Sequence, residues 1–403
     1  MLGKATLSIV TFALMLLCAE GLFRVIRFDF EDPARGLAEI PIYYRSPALR
    51  HGDAYYRRDG PQIWKGRVIH QMLSWAGHDD LARLYEDAPS ITASYDRDGF
   101  RNPEGLSDWE VVVVGDSFVE LGYLDQADLF TTGLAEQLGI RVRNLGVAET
   151  GPLTYIAYLK SFGKAESTTH AVLVFYEGND LTELAVEVER LRRVRKGEPL
   201  PENRLSIHTP QNSLIVAISR LASGGGGERM ARRVNAFYEA PGGQRLPMTF
   251  YAAPPGWGEV AIPLRRALAR ALHGWAKTAS AAGMQPWLLY MPSKLRILYD
   301  RVEFVGSEAP ILGRWRPNEL PAALELRAKD AGIRFIDATP ALRSEMLAGR
   351  LPYNTAYDSH LNRLGSRLVA EVLAEALAPA LGVQRGRYAP AAGPGGDSSA
   401  ARR

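Results

Sequence analysis

The chain has 403 residues, of which 46% are hydrophobic and 23% are charged, and its formal net charge is +3. This composition is typical of a folded protein, and a charge so near neutral gives no reason to expect a nucleic-acid partner. The single cysteine, Cys18, excludes an internal disulfide and a cysteine-based metal site.

The first 28 residues differ from the rest of the chain. Lys4 precedes an apolar run from Ala5 to Ala19, which ends at Glu20. The run is short for a membrane-spanning helix and long for the core of a signal peptide. We expect residues 1–28 to be a membrane anchor that holds an extracytoplasmic, periplasmic domain. A cleaved signal is the first alternative and a buried core helix is the second.

Residues 29–107 are rich in Tyr, Arg, Asp and Pro and show weak periodicity, so we interpret them as a linker and an irregular N-terminal layer. Residues 108–384 then alternate between apolar strand-like runs and helix-compatible stretches. The strand-like runs are Val111–Val114, Arg141–Val147, Ala171–Tyr176, Pro286–Met291 and Ile333–Asp337. The helical stretches are Ala127–Leu138, Thr154–Phe162, Ile262–Ala282, Asn318–Ala331 and Arg363–Leu381.

Such alternation predicts a three-layer, doubly wound α/β domain with about five parallel strands covered on both faces. Residues 182–260 interrupt it, and we interpret them as an insertion over the active face. Within that segment, Gly224–Gly227 follow no strand and precede no Lys-Ser/Thr pair, so they indicate a loop rather than a phosphate site. Residues 385–403 are rich in Pro, Gly, Ala and Ser, which is typical of a disordered tail.

Ligands of open parallel sheets bind outside the carboxyl ends of the strands, and polar residues follow several predicted strands here. Ser117 follows the first strand, Asn144 and Gly146 end the second, and Asn179 follows the third. Asp358 and His360 precede the last helix. A serine nucleophile needs a base, a carboxylate that orients the base and donors for an oxyanion, and these segments contain each part.

Four motifs in this order, "GDSF", "NLGVAETGP", "EGND" and "DSHLN", resemble the SGNH (GDSL-type) hydrolases. The resemblance covers roughly Gly99 to Ala378. "YDRDGFRNPE", "YMPSKLRILY" and "DATPALR" are similar to a membrane-tethered branch that includes alginate O-acetyltransferase-like proteins. The fold it implies is an SGNH, flavodoxin-like sheet, and no cofactor or metal ion is implied. The activity it implies is hydrolysis of acetyl esters through an acyl-enzyme, on a small molecule or an acetylated polysaccharide.

The resemblance implies a role for each motif residue. Ser117 would be the nucleophile, His360 the general base and Asp358 the residue that orients His360. The Ser117 backbone N–H and Asn179 would bind the oxyanion. A third donor would come from the second motif, whose usual pattern Asn-x-Gly-x-x-Gly places Glu149 at its last glycine.

Glu149 is therefore the departure from the family pattern. A positive φ would be costly for Glu, and a carboxylate beside an oxyanion is unfavourable. Either Glu149 points away, or Gly146 or Gly151 supplies the donor instead.

Other interpretations remain open. A polysaccharide O-acetyltransferase would use the same triad with a sugar hydroxyl as acceptor. A metallophosphoesterase would use Asp116, Asn179, Asp358 and His360 as metal ligands, although only one histidine lies in a motif. A non-catalytic binding module on the same fold is the third alternative. Asp116 and Asp180 are expected to be turn or cap residues rather than catalytic ones. Lys294 and Arg296 are expected to be exposed loop charges, and contact with an anionic or sugar substrate is the alternative.

Overall fold

A computed structural model describes residues 2–25, 46–50, 53–57, 60–67, 90–121, 124–198, 213–222, 234–250, 253–354 and 359–385. Its strands are β1 (Ser46–Arg50), β2 (Asp53–Arg57), β3 (Gln62–Arg67), β4 (Ser90–Tyr95), β5 (Val111–Gly115), β6 (Val142–Gly146), β7 (His170–Tyr176), β8 (Ala236–Glu239), β9 (Arg245–Met248), β10 (Gln285–Met291), β11 (Val302–Phe304) and β12 (Arg334–Asp337). Its helices are α1 (Leu2–Val25), α2 (Ser117–Glu120), α3 (Phe130–Leu138), α4 (Pro152–Tyr158), α5 (Asp180–Arg195), α6 (Leu214–Ala222), α7 (Ile262–Ala281), α8 (Lys294–Leu298), α9 (Ala309–Leu312), α10 (Leu320–Asp330), α11 (Thr339–Leu347) and α12 (Arg363–Leu381).

The central sheet has five strands in the order β12-β10-β7-β5-β6, and every neighbouring pair is parallel. These five strands coincide with the five apolar runs of the sequence, so the predicted parallel α/β sheet is confirmed. In chain order the strands stand 2-1-3-4-5, which is the flavodoxin-like doubly wound arrangement.

The valines of β5 show how the sheet is covered on both faces. Val111 and Val113 pack into one core, with α3, α11 and α12, whereas Val112 and Val114 pack into the other, with α4, α5, α7 and α10. Successive side chains of a strand point to opposite faces, so a strand buried on both faces must be apolar at every position.

The expected irregular N-terminal layer contains two antiparallel strand pairs, β1 with β2 and β3 with β4. In β4, Ile91, Ala93 and Tyr95 are buried and alternate with partly exposed Thr92 and Ser94. A period of two residues is typical of a half-buried strand. The sequence did not indicate this strand because most of the residues around it are polar.

The predicted insertion begins with a helix of the main domain. α5 packs against α4 and α7, and is therefore part of one helical layer. Farther along, β8 pairs with β9 and with β11 in a separate antiparallel sheet of three strands. The glycine run 224–227, most of the C-terminal tail and Asp358 lie outside the described residues.

The N-terminal segment forms α1, but the predicted membrane helix is not supported. Among the described residues, none of the helices is both long enough and apolar enough to cross a membrane. Glu20 of α1 is buried and accepts hydrogen bonds from the Ser213 hydroxyl and the Ile215 N–H at the start of α6. Arg24, one turn later on α1, pairs with the same carboxylate at 2.6 Å.

Candidate active site

Ser117 lies at the carboxyl end of β5, on the first residue of α2. Asp116 caps that helix, because its Oδ1 accepts the Phe118 N–H at 2.9 Å. Gly115 makes the sharp turn possible, since a Cβ there would lie 2.4 Å from Val119 Cγ2. Ser117 is the one residue from Val111 to Leu121 that is not buried. The turn thus presents a single hydroxyl to solvent at the edge of the sheet.

His360 meets this hydroxyl from the other end of the domain. Its Nε2 lies 2.8 Å from Ser117 Oγ, across a sequence separation of 243 residues. The His360 carbonyl accepts the Asn354 N–H at 3.0 Å, which fixes the backbone. The imidazole ring packs 4.8 Å from the Phe118 ring, and Phe118 in turn stacks on Tyr176. The predicted nucleophile and base are therefore in direct hydrogen-bond contact.

Asn179 is placed beside Ser117 by the strand order. It follows β7, the neighbour of β5, and the chain reverses its winding direction between these two strands. In doubly wound sheets the ligand crevice forms at this switch point. Asn179 Oδ1 is buried and has no hydrogen-bond partner among the described residues. The Asn179 amide lies against the carboxyl of Asp116, the residue before Ser117.

The β6–α4 loop (residues 147–151) contains the residue that the sequence motif aligns with the third donor. Glu149 has φ +58°, in the left-handed region that favours glycine. The other two candidates already use their N–H groups. Gly146 donates to Asn144 Oδ1 at 2.8 Å, and Gly151 donates to Glu187 Oε1 at 2.9 Å. These bonds leave the donor role of Gly146 without support.

Gly146 has a packing role instead. A Cβ there would lie 2.3 Å from the Glu120 backbone nitrogen and 2.6 Å from the Val119 carbonyl carbon. The absence of a side chain lets α2 lie directly on β6, and this close approach fixes where Ser117 stands relative to the β6–α4 loop.

Buried carboxyl groups surround the site. Burial raises the pKa of Asp116, against the lowering effects of the Phe118 N–H, His360 and the Asn179 amide. Burial likewise raises the pKa of Asp180 well above its usual range, and nearby Asp116 adds to that rise. Asp180 accepts the Tyr155 hydroxyl at 2.7 Å and the Tyr176 N–H at 3.0 Å. Asp116 is thus a cap, as predicted, whereas Asp180 is a buried link between α4, β7 and α5.

The sequence suggests that Lys294 and Arg296 are exposed loop charges, and this prediction is wrong. The two residues are only 2% and 5% exposed. Arg296 pairs with Glu177, the residue two before Asn179, at 2.5 Å. Glu177 also accepts the Ser293 N–H and hydroxyl at 2.8 and 2.7 Å. This network joins the end of β7 to the start of α8. Its partners are far apart in sequence, so no local pattern marks it.

Chemically, the assembled groups suit transfer of an acyl group to a serine. His360 Nε2 is in position to accept the Ser117 proton. The Ser117 N–H lies at the start of α2, and no described residue accepts a hydrogen bond from it. Within the described ranges, no group of three or more His, Cys, Asp and Glu side chains has the arrangement of a metal site.

Comparison with known proteins gives matches among solved structures alone, since no family model and no curated protein matches the chain. A member of the lipolytic protein G-D-S-L family from Veillonella parvula DSM 2008 has 12% identity and a TM-score of 0.34, over 66% of this chain and 96% of its own. A carbohydrate esterase family 2 enzyme from Corynascus thermopiles has 12% identity and a TM-score of 0.35, over 73% and 72%. Phospholipase A1 from Streptomyces albidoflavus NA297 also has 12% identity and a TM-score of 0.35, over 66% and 98%.

Proposed function

We propose that the protein is an SGNH-type serine esterase that cleaves acetyl esters, such as those of an acetylated carbohydrate, through an acyl-enzyme. The observation that carries the proposal is the 2.8 Å contact between Ser117 Oγ and His360 Nε2. An imidazole in direct contact with a partly exposed serine hydroxyl is the arrangement that makes this weak nucleophile reactive.

In the first step Ser117 Oγ attacks the ester carbonyl while its proton passes to His360 Nε2. The tetrahedral intermediate then collapses, and the leaving alcohol takes that proton from the imidazolium. Water attacks the acyl-enzyme with His360 again as base, which releases the acid and restores the serine. Asp358, which lies outside the described residues, is the proposed partner that orients the imidazole.

The oxyanion is stabilised in this proposal by three donors on three chain segments. They are the Ser117 N–H at the start of α2, the Asn179 amide after β7 and the Glu149 N–H in the β6–α4 loop. Donors that are held in place before the reaction need no reorganisation as charge develops, and loss of one commonly lowers kcat by ~10²–10³.

The identity of the acceptor separates a hydrolase from a transferase. Water as the acceptor gives an esterase, whereas a sugar hydroxyl gives a polysaccharide O-acetyltransferase with the same triad. An assay that contains both an acetylated donor and an unacetylated polysaccharide distinguishes the two functions. Mass spectrometry then shows whether the acetyl groups end as free acetate or on the polysaccharide. The membrane attachment and the periplasmic location stay predictions, which fractionation of cells that express the full chain would test.

The first experiment is hydrolysis of a chromogenic acetyl ester by the full-length chain, with and without EDTA. Ser117→Ala removes the nucleophile, and Ser280→Ala, an exposed serine on α7, is the matched control. We expect activity that survives EDTA and Ser280→Ala but is lost in Ser117→Ala.

Other outcomes favour other functions. Activity that EDTA abolishes and Ser117→Ala retains would favour the metallophosphoesterase alternative. If the biological phenotype of the protein were unchanged by Ser117→Ala, a non-catalytic binding module would be favoured.

A further inference from the structure

The β6–α4 loop is held at both ends by buried carboxylates that the proposed mechanism does not use. We propose that Glu120 and Glu187 are positioning residues, which hold this loop in register with Ser117 and Asn179 so that the Glu149 N–H faces the oxyanion. The proposal rests on the proposed esterase function and adds to it the means by which the third donor is kept in place.

Glu120 holds the first half of the loop. It is the last residue of α2, is 1% exposed, and accepts the Ala148 N–H on Oε2 at 2.8 Å. Its Oε1 accepts the Tyr95 hydroxyl at 3.1 Å. Because α2 begins with Ser117, the same short helix that presents the nucleophile also binds the loop.

Glu187 holds the second half of the loop. Its Oε1 accepts the Gly151 N–H at 2.9 Å and the Thr154 N–H and hydroxyl, and its Oε2 accepts the Leu153 N–H at 2.9 Å. The carboxylate is thus fully satisfied although it is buried. Glu187 lies on α5, and that helix begins directly after Asn179.

The two carboxylates therefore connect the loop to the elements that carry the other two donors. α2 carries the Ser117 N–H and α5 follows Asn179, so a hydrogen bond from each helix to the loop couples the positions of all three donors. Glu149 sits between the two attachment points with φ +58°, a conformation that a residue with a Cβ keeps only when its surroundings impose it. The attachments lie directly on either side of it, at Ala148 and Gly151.

Removing either carboxylate should free the loop without touching the nucleophile. We expect Glu120→Ala and Glu187→Ala each to lower kcat by about 10²-fold, the lower end of the range for loss of one oxyanion donor, with little change in KM. Affinity for methylboronic acid should fall with kcat. This compound forms a B–O bond with Ser117 Oγ while the serine proton passes to His360, and the resulting tetrahedral anion requires the donors.

The glutamine variants distinguish positioning from mere occupancy of space. In Glu120→Gln the amide oxygen can accept the Ala148 N–H while the amide nitrogen donates to the Tyr95 oxygen, because a hydroxyl can accept as well as donate. In Glu187→Gln one donor must face an amide NH₂ group, since both oxygens of Glu187 accept N–H groups. We therefore expect near wild-type kcat for Glu120→Gln and an intermediate kcat for Glu187→Gln.

The test measures kcat, KM and boronate affinity for the full-length chain and its variants, together with hydrogen exchange of residues 147–154 by mass spectrometry. Trp109→Phe is the control for lost stability, because it removes a buried hydrogen bond from Trp109 Nε1 to the Gly163 carbonyl at the amino end of the sheet. The expected result is faster exchange of this segment and a lower kcat in both alanine variants, and neither change in Trp109→Phe.

Two results would overturn the proposal in distinguishable ways. Alanine variants with wild-type kcat and wild-type exchange, in a protein whose activity requires Ser117, would refute the positioning role and leave the esterase function standing. A wild-type chain without Ser117-dependent activity would refute both.

Discussion

Replacing Glu149 changes the backbone and the charge of the β6–α4 loop at once, and a set of three variants separates the two effects. Glu149→Gln removes the charge and keeps a side chain with a Cβ. Glu149→Ala removes the carboxylate and keeps the Cβ, whereas Glu149→Gly removes both and accepts φ +58° without strain. All three leave the loop N–H groups in place.

The expected difference in stability between Glu149→Gly and Glu149→Ala follows from the left-handed backbone at this position. This conformation costs a residue with a Cβ roughly 1–2 kcal/mol, and glycine pays about 0.5–1 kcal/mol for its extra freedom in the unfolded chain. The difference predicts that Glu149→Gly is more stable than Glu149→Ala by up to about 1.5 kcal/mol. At an ordinary helical or strand position the order of the two variants is reversed, so the sign alone is informative.

Denaturant unfolding of the full-length variants measures this order, and ester hydrolysis measures the effect of the charge. We expect Glu149→Gln to raise kcat, because a carboxylate beside the developing oxyanion opposes the donors. An alanine variant more stable than the glycine variant would refute the left-handed backbone at residue 149. An unchanged kcat in Glu149→Gln would show that the carboxylate points away from the reacting oxygen.

Three further predictions concern stability. Asp180→Asn should become more stable relative to wild type as pH rises above about 4. The pKa of buried Asp180 is raised, so the wild-type protein loses stability as this carboxyl ionises. Melting temperatures across pH 4–8 test this prediction. Hydrogen bonds from Ser167 lower the pKa of Asp108 to about 2, so the stability that Asp108→Asn loses at neutral pH should disappear as pH falls from about 4 towards 2. Gly146→Ala should lower the unfolding free energy by ~1–3 kcal/mol, since backbone atoms block its Cβ, whereas Gly258→Ala, whose Cβ meets only a carboxylate oxygen at 3.8 Å, should change it little.

The sheet could be predicted because its signal is local. A strand covered on both faces is apolar at every position, and the four valines before Gly115 show this directly. The contact between Ser117 and His360 could be predicted because each residue lies next to an element boundary, Ser117 after β5 and His360 before α12. Motif order and strand order together were enough to bring them to one edge.

The supporting charges could not be predicted, because their partners are remote in sequence. Glu187 resembles any charged residue of an exposed helix, and only the packing of α5 on α4 reveals that backbone N–H groups surround it. Arg296 was expected to be exposed for the same reason, since its partner Glu177 is 119 residues away. Local composition predicts the usual exposure of a charged residue, whereas the burial of these residues depends on contacts between elements.

The concentration of buried carboxyls beside the proposed oxyanion site has an electrostatic consequence. Asp116, Asp180 and Glu187 all have raised pKa values because burial penalises their charge, and a full negative charge on each would oppose an anionic transition state. Each also accepts at least one backbone N–H, so its charge is partly balanced by a fixed dipole. Carboxylates can therefore serve as structural acceptors near the proposed reacting oxygen, because their fields are offset by backbone donors in the adjoining strand, loop and helix.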